Sequence, residues 1–163
     1  MADANLRHSV PAVVLDEKDR VLLCRFDLPT QGVVVWATPG GGIEAAESPL
    51  EALTRELDEE LGLAVVDEPP HVWHQRVVAE GQAEGYDGVI NDCYLIKTDN
   101  FTPTAHLELR SCAPRTSPGS AGGAWPSCRT TGATPSLGPR DLATLLQQLL
   151  SAGAPQEPLA IGL

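Results

Sequence analysis

The chain has 163 residues, a length that suits a single domain with a sizeable hydrophobic core. It carries 22 acidic and 11 basic residues, giving a formal net charge of −11, and the basic residues form no stripe. This balance argues against a protein that binds a nucleic-acid polymer through its phosphate backbone. It leaves a small-molecule nucleotide substrate open, because a bound divalent cation can supply the positive charge that the side chains lack.

The N-terminus and the cysteines bear on where the protein works. The first residues, MADANLRHSV, contain no apolar segment of the signal-peptide type, and no run approaches the length of a membrane span. The four cysteines form no CxxC pair, and two of them lie in strand-like runs; they are Cys24, Cys93, Cys112 and Cys128. We therefore expect a reduced, cytoplasmic protein that does not bind a membrane.

Two apolar runs near the N-terminus, residues 9–15 and 21–26, are separated by the turn-like sequence DEKDR. They predict a β-hairpin whose turn residues 16–19 are solvated. Arg25 ends the second run, where it is either an ordinary surface charge or a contact for a substrate phosphate.

The next run, VVVW at residues 33–36, predicts a short strand that leads into the loop ATPGGG. Trp36 at this junction is interpreted as a packing residue, with stacking on a nucleotide base as the alternative. Gly40, Gly41 and Gly42 would let the backbone pass close to a metal ion or a phosphate, because glycine has no Cβ.

A helix is predicted directly after this loop, from about Pro49 to Leu61. Ser48 is a capping residue, Pro49 suits a first turn, and Glu51 completes a capping box. Gly62 supplies the left-handed stop. Four leucines at helical spacing predict one apolar stripe that faces a core: Leu50, Leu53, Leu57 and Leu61.

Three glutamates form a second stripe on the same helix. Glu56, Glu59 and Glu60 stand at positions i, i+3 and i+4, where like charges repel and destabilise a helix. A hard divalent cation such as Mg2+ removes this repulsion, since it prefers oxygen ligands. The alternative is a solvated acidic surface. The glycine loop, the cap, Arg55 and Gly62 all stand in register with the glutamates, which favours a metal site.

Beyond the helix, residues 63–66 predict a short strand, and residues 71–79 and 86–98 predict two longer strands. His71 and His74 are three residues apart, a spacing that directs strand side chains to opposite faces, so a metal-binding pair is not expected.

Four polar residues of the second long strand are candidates for lining a pocket, although each is also explained by a structural role: Tyr86, Asp87, Asn91 and Asp92.

Residues 111–136 differ in composition from the rest of the chain. They contain no Val, Ile, Leu, Met, Phe or acidic residue, as is typical of a disordered linker. An amphipathic helix nevertheless follows at 139–151, with an apolar face formed by Leu142, Leu145, Leu146 and Leu149. The composition is also what a GC-rich gene yields when read out of frame. We hypothesise one indel near Arg110 and a compensating one near Leu137.

The stretch from Gly41 to Leu63 fits the pattern G-x5-E-x7-R-E-U-x-E-E-x-G-U at every defined position, where U is aliphatic. The pattern is the Nudix box, and the chain therefore resembles the Nudix hydrolase family. The resemblance implies an α/β fold, an α/β/α sandwich around a mixed sheet. We expect a single domain over 1–152, including the anomalous segment, and a flexible C-terminal tail over 153–163.

The resemblance also implies an activity: hydrolysis of a nucleoside diphosphate linked to another moiety, by attack of water at phosphorus with Mg2+ or Mn2+. The metal ligands would be the Gly40 carbonyl and the three box glutamates already named. Arg55 would orient the glutamates, and Glu47 would support the loop or the metal. Arg25, Trp36, Tyr86 and Asp92 are the candidate substrate-binding residues.

Several features are left open. Many family members draw a further carboxylate from a loop before the last strand, and here Glu108 alone lies near the corresponding segment. ADP-ribose, a damaged nucleoside triphosphate and a dinucleoside polyphosphate all remain as substrates. The alternative is a non-catalytic Nudix-fold module that binds a nucleotide or a partner, although the box glutamates are complete. A homodimer is common in the family.

Overall fold

The computed structural model of the protein describes residues 4–28, 33–79, 82–99, 136–138 and 141–162. The anomalous segment 111–136 lies outside the described residues except for Ser136, and so does Glu108. The expectations about that segment and about Glu108 stay predictions.

Eight strands and two helices form the described part of the chain. In chain order they are β1 (Leu6–Ser9), β2 (Ala12–Leu15), β3 (Cys24–Leu28), β4 (Val33–Ala37), α1 (Pro49–Leu61), β5 (His71–Val78), β6 (Gly88–Lys97), β7 (Ser136–Gly138), α2 (Leu142–Ala152) and β8 (Leu159–Ile161). Within these ranges, neither helix is long and apolar enough to cross a membrane.

The larger sheet is mixed and is organised around β6. β1 and β2 pair with β6 in parallel, one after the other along the same side, and β5 pairs with its other side in antiparallel. β8 adds in parallel to β5. A smaller sheet has the order β3-β4-β7, with β3 antiparallel and β7 parallel to β4.

The two helices cover opposite faces of the larger sheet. On β2, Ala12 and Val14 pack in the cluster that contains α1, whereas Val13 and Leu15 pack in the cluster that contains α2. This alternation follows from the two-residue period of a strand, and it explains why the whole strand is apolar. The predicted α/β/α sandwich with a mixed sheet is confirmed.

Helix α1 has the bounds that its sequence predicts. The Ser48 hydroxyl accepts a hydrogen bond from the backbone of Glu51, and the Glu51 carboxylate accepts one from the Ser48 backbone. Gly62 ends the helix at φ 66°. The predicted apolar stripe is wrong at Leu50, which is 38% exposed. The buried face of α1 includes Ala52 in place of Leu50, which lies at the edge of this face in the first turn.

The N-terminal hairpin is only partly as predicted. Leu15 and Val21 form one antiparallel bridge, but the strand that follows pairs with β4 in the smaller sheet. Asp16 is buried rather than solvated, because its carboxylate accepts hydrogen bonds from the backbone of Lys18 and from the backbone and side chain of Arg20. These bonds close the turn.

Two further segments correct the sequence-based expectations. Residues 63–66, all of them described, form no strand and run as an irregular connection after α1. In the expected flexible tail, Leu159–Ile161 form a strand, which pairs with β5 in the register Trp73 to Leu159. Without β8, one edge of β5 would have unpaired backbone N–H and C=O groups. β8 forms hydrogen bonds with this edge. The four leucines predicted for the apolar face of α2 are all buried.

Candidate active site

The loop before α1 is fixed along the first two strands by backbone hydrogen bonds. The Val10 and Ala12 amides donate to the carbonyls of Gly41 and Pro39, at 2.9 and 2.7 Å. The Ile43 amide donates to the His8 carbonyl at 2.9 Å. The N-terminus of α1 and the edge of the larger sheet are thereby held at a fixed separation.

Two positions of this loop require glycine because other atoms lie where a Cβ would be. Gly40 has φ +124°, and a Cβ at this position would lie 2.4 Å from the Val10 carbonyl oxygen. A Cβ on Gly41 would lie 2.2 Å from Oε1 of Glu56. Any side chain at Gly41 would therefore occupy the space that the Glu56 carboxylate now fills.

The three box glutamates face this loop to different degrees. The Gly40 amide donates a hydrogen bond of 2.8 Å to Oε2 of Glu60. The side chain of Glu56 is 17% exposed, and that of Glu59 is 43% exposed. The carboxylates thus run from the loop backbone towards solvent along one side of α1.

Arg55 ties the helix to the loop. Its Nε and Nη2 donate to the two carboxylate oxygens of Glu47 at 2.8 and 2.9 Å, the two-pronged geometry that a guanidinium favours. Nη1 donates to Oε1 of Glu56 at 2.8 Å and lies 3.6 Å from Oε2 of Glu59. Nη2 also donates to the Gly42 carbonyl at 3.1 Å.

The carboxylates of this site are held in different electrostatic states. Burial raises the pKa of Glu60 to about 6, and the charges of Glu56 and Glu59 act in the same direction, against the hydrogen bond from Gly40. The hydrogen bonds from Arg55 and from the Glu44 backbone lower the pKa of Glu47 to about 2. An added positive charge would therefore favour the ionised form of the Glu60 carboxyl.

The donor set fits a hard divalent cation. Three carboxylates share one side of α1, and one guanidinium contacts two of them and is also shared with Glu47. The excess negative charge and the all-oxygen donors are what Mg2+ or Mn2+ requires. The five box residues predicted as catalytic, together with Gly40, lie at this one place; they are Glu47, Arg55, Glu56, Glu59 and Glu60.

The candidate substrate-binding residues are dispersed. Trp36 is half-buried against the α2 cluster, and Arg25 stands opposite it in the β3–β4 register. Tyr86 is 41% exposed in the turn before β6. Asp92 lies on the α1 face of β6, two residues from Tyr94, which packs against the α1 cluster.

The orientation inferred for His71 and His74 is wrong. The β5–β6 register shifts between His71 and Trp73, because a bulge places an additional residue on β5. The bulge returns both histidines to one face, where their rings contact Asp92. The spacing of the two histidines carries no signal of this, since the bulge is seen only in the pairing of β5 with β6.

In this three-layer α/β/α protein an acidic helix, a glycine loop and an arginine meet at one place, as the Nudix box implies. The sequence model of the NUDIX domain matches residues 5–105. The chain belongs to the Nudix family.

Curated relatives share parts of the chain. It is 44% identical over 68 residues to an RNA pyrophosphohydrolase of Halorhodospira halophila, covering 41% of this chain and 35% of that protein. It is 35% identical over 65 residues to an 8-oxo-dGTP diphosphatase of Proteus vulgaris, covering 40% of this chain and 58% of that protein. The chain thus spans less than two thirds of the length of either relative.

Two longer matches extend beyond the box. An RNA pyrophosphohydrolase of Nitratiruptor is 31% identical over 125 residues, covering 70% of this chain and 76% of that protein. The solution structure of the E. coli ORF135 protein has a TM-score of 0.57 at 21% identity, covering 94% of this chain and 96% of that one. This last likeness shows the fold alone.

Proposed function

We propose that the protein is a divalent-metal-dependent hydrolase that cleaves a nucleoside diphosphate linked to another moiety, by attack of water at phosphorus. The observation that carries the proposal is the position of Glu56 and Glu60 against the glycine loop, with Arg55 contacting both Glu56 and Glu59. A Nudix pyrophosphohydrolase needs this arrangement, and the names of the curated relatives support the same reaction.

The chain's own residues would hold the cofactor, Mg2+ or Mn2+, through the Gly40 carbonyl and the three box glutamates. The ion would neutralise charge on the phosphate oxygens, which is the main requirement of phosphoryl transfer. Arg55 keeps the Glu56 carboxylate against Gly41, and its bonds to Glu47 fix its own position. These contacts fix the positions of the Arg55 and Glu56 side chains before substrate binds, so that these side chains need to move little in the transition state.

The proposed substrate is a small nucleotide: ADP-ribose or a similar compound, a nucleoside triphosphate or a dinucleoside polyphosphate. The net charge of −11 supports a small molecule over an RNA chain. The names of two relatives make an RNA 5′ end the alternative that an experiment must include. Substrate contacts by Arg25, Trp36, Tyr86 and Asp92, a cytoplasmic location and a homodimer remain predictions.

The deciding experiment is a panel of ADP-ribose, NADH, dinucleoside polyphosphates, canonical and oxidised nucleoside triphosphates and 5′-triphosphorylated RNA, each with and without Mg2+. Product that forms only with metal supports the hydrolase, and the cleaved compound identifies the substrate class. Tight binding of a nucleotide by folded protein with no metal-dependent product would instead support the non-catalytic binding module.

A further inference from the structure

A second group of metal-ligating side chains lies on the same face of the larger sheet as α1. It consists of one residue of β1, two of β5 and one of β6, and we call it the histidine cluster: His8, His71, His74 and Asp92. Nothing in the Nudix box contributes to it. It therefore requires an explanation of its own.

Asp92 is the centre of the histidine cluster. Its Oδ1 lies 2.6 Å from Nδ1 of His74 and 3.1 Å from Nε2 of His71. Its Oδ2 contacts Nε2 of His8. His71, His74 and Asp92 each offer one ligand atom, and these three atoms all lie within 4.8 Å of one another.

The cluster is both ordered and reachable. The ring of His71 stacks on Tyr94 with centroids 5.0 Å apart and planes at 24°, which fixes its orientation. The side chain of Asp92 is 12% exposed, whereas those of His71 and His74 are 29% and 40% exposed. The carboxylate is therefore held in the sheet and the imidazoles form the outer side, through which an ion can enter.

The histidine cluster combines oxygen and nitrogen atoms that can bind a metal ion. The Asp92 carboxylate and the imidazole nitrogens that face it offer mixed N and O donors. Such donors suit Zn2+ and its neighbours among the transition metals, whereas the glutamates of α1 offer oxygen alone.

We propose that His71, His74 and Asp92 form a binding site for a divalent transition-metal ion of the Zn2+ class, separate from the glutamate site. His8 would hold the second oxygen of Asp92 and so fix the direction of the first. Ligand atoms around a tetrahedral Zn2+ lie about 3.3 Å apart when metal–ligand bonds are about 2.0 Å long. To reach this separation, the contacts of 3.1 and 2.6 Å would open by about 0.2 and about 0.7 Å when the ion takes the place of the bridging protons.

The test uses the full chain stripped of metal and titrated with Co2+ in excess Mg2+, without any nucleotide. Excess Mg2+ occupies the oxygen-donor site, and the visible spectrum of Co2+ reports nitrogen ligation. We expect one Co2+ per chain with an absorption typical of tetrahedral nitrogen and oxygen ligands, displaced by Zn2+. His74→Ala and Asp92→Asn should each weaken this binding at least tenfold, since each removes one of three ligands.

Glu84→Gln, an exposed carboxylate outside the cluster, is the control and should leave the Co2+ titration unchanged. Glu56→Gln should also leave it unchanged, which separates this site from the proposed catalytic one. His71→Gln provides a second ligand variant if His74→Ala does not fold. Folded protein that gives no tetrahedral Co2+ spectrum, or ligand variants that titrate like the control, would overturn the proposal. Neither result depends on whether the chain hydrolyses a nucleotide.

Discussion

The glutamate site and the histidine cluster lie on the same side of the larger sheet and are built in opposite ways. The glutamate site comes from one continuous stretch, the loop from Gly40 and the helix that follows it. The histidine cluster is formed by residues of three strands, and two of its members in contact, His8 and Asp92, are 84 positions apart in the chain. A site formed by one continuous stretch can be predicted from the sequence, because the helix period and the caps determine which side chains meet. A site formed by several strands also depends on the register in which those strands pair.

The largest expected effect is the loss of turnover when Glu60 of the glutamate site is replaced by glutamine. Glu60→Gln keeps the hydrogen-bond acceptor for the Gly40 amide but removes the charge, so the fold should survive. We expect turnover in Mg2+ to fall by about three decades, equivalent to roughly 4 kcal/mol of transition-state stabilisation. Steady-state rates on the identified substrate would measure it.

Asp58→Asn is the matched control for this prediction, since Asp58 is an exposed carboxylate on the same helix. It should retain activity close to that of the original chain. Activity near the original level in Glu60→Gln would contradict the assignment of the metal site.

The next effect concerns the loop. Gly41→Ala would place a methyl group 2.2 Å from Oε1 of Glu56, so the carboxylate must move. Overpacking of this kind costs typically about 1–3 kcal/mol, and here we expect it to appear in both stability and turnover. Gly162→Ala is the control, because nothing lies near its added Cβ. Thermal unfolding and activity assays on both variants would show whether the close approach matters.

A third prediction follows from the raised pKa of Glu60. The folded carboxyl, with a pKa of about 6, holds its proton more tightly than the unfolded one, at 4.5. Metal-free protein should therefore lose stability as pH rises from about 4.5 through 6, by an amount on the order of 2 kcal/mol. Urea unfolding at about pH 4 and about pH 7.5 would measure nearly all of this loss. It should be absent in Glu60→Gln and offset by Mg2+ at pH 7.5.

What the sequence could predict follows the same division between local and distant contacts. Helix α1 was predicted with its bounds because Ser48, Glu51 and Gly62 each act within one turn of their own position. The pairing of β3 with β4, rather than with β2, depends on where the smaller sheet lies. That choice is made by tertiary packing, which propensity alone does not encode.

The histidines show the limit most clearly. Alternation assigned His71 and His74 to opposite faces, and this would be correct for a regular strand. The bulge that reunites them is visible only in the register with β6. For residues 111–136, the frame-shift hypothesis remains a prediction, and the coding DNA would decide it: an in-frame native sequence without indel-prone sites would exclude it.

The smallest expected effect is that of Leu50→Ala, which tests how far the apolar stripe of α1 extends. Leu50 and Leu57 lie two helical turns apart on the same side of the helix, yet Leu50 is 38% exposed and Leu57 is 0% exposed. Leu57→Ala should cost about 2–5 kcal/mol, since it leaves a cavity between α1 and the sheet. Leu50→Ala should change the free energy of unfolding by less than about 0.5 kcal/mol, as is usual for surface substitutions. Equal losses in chemical denaturation would show that the first turn of α1 is packed as the sequence pattern alone implies. A small loss for Leu50→Ala beside a large one for Leu57→Ala would show that the packed stripe of α1 excludes Leu50 in the first turn.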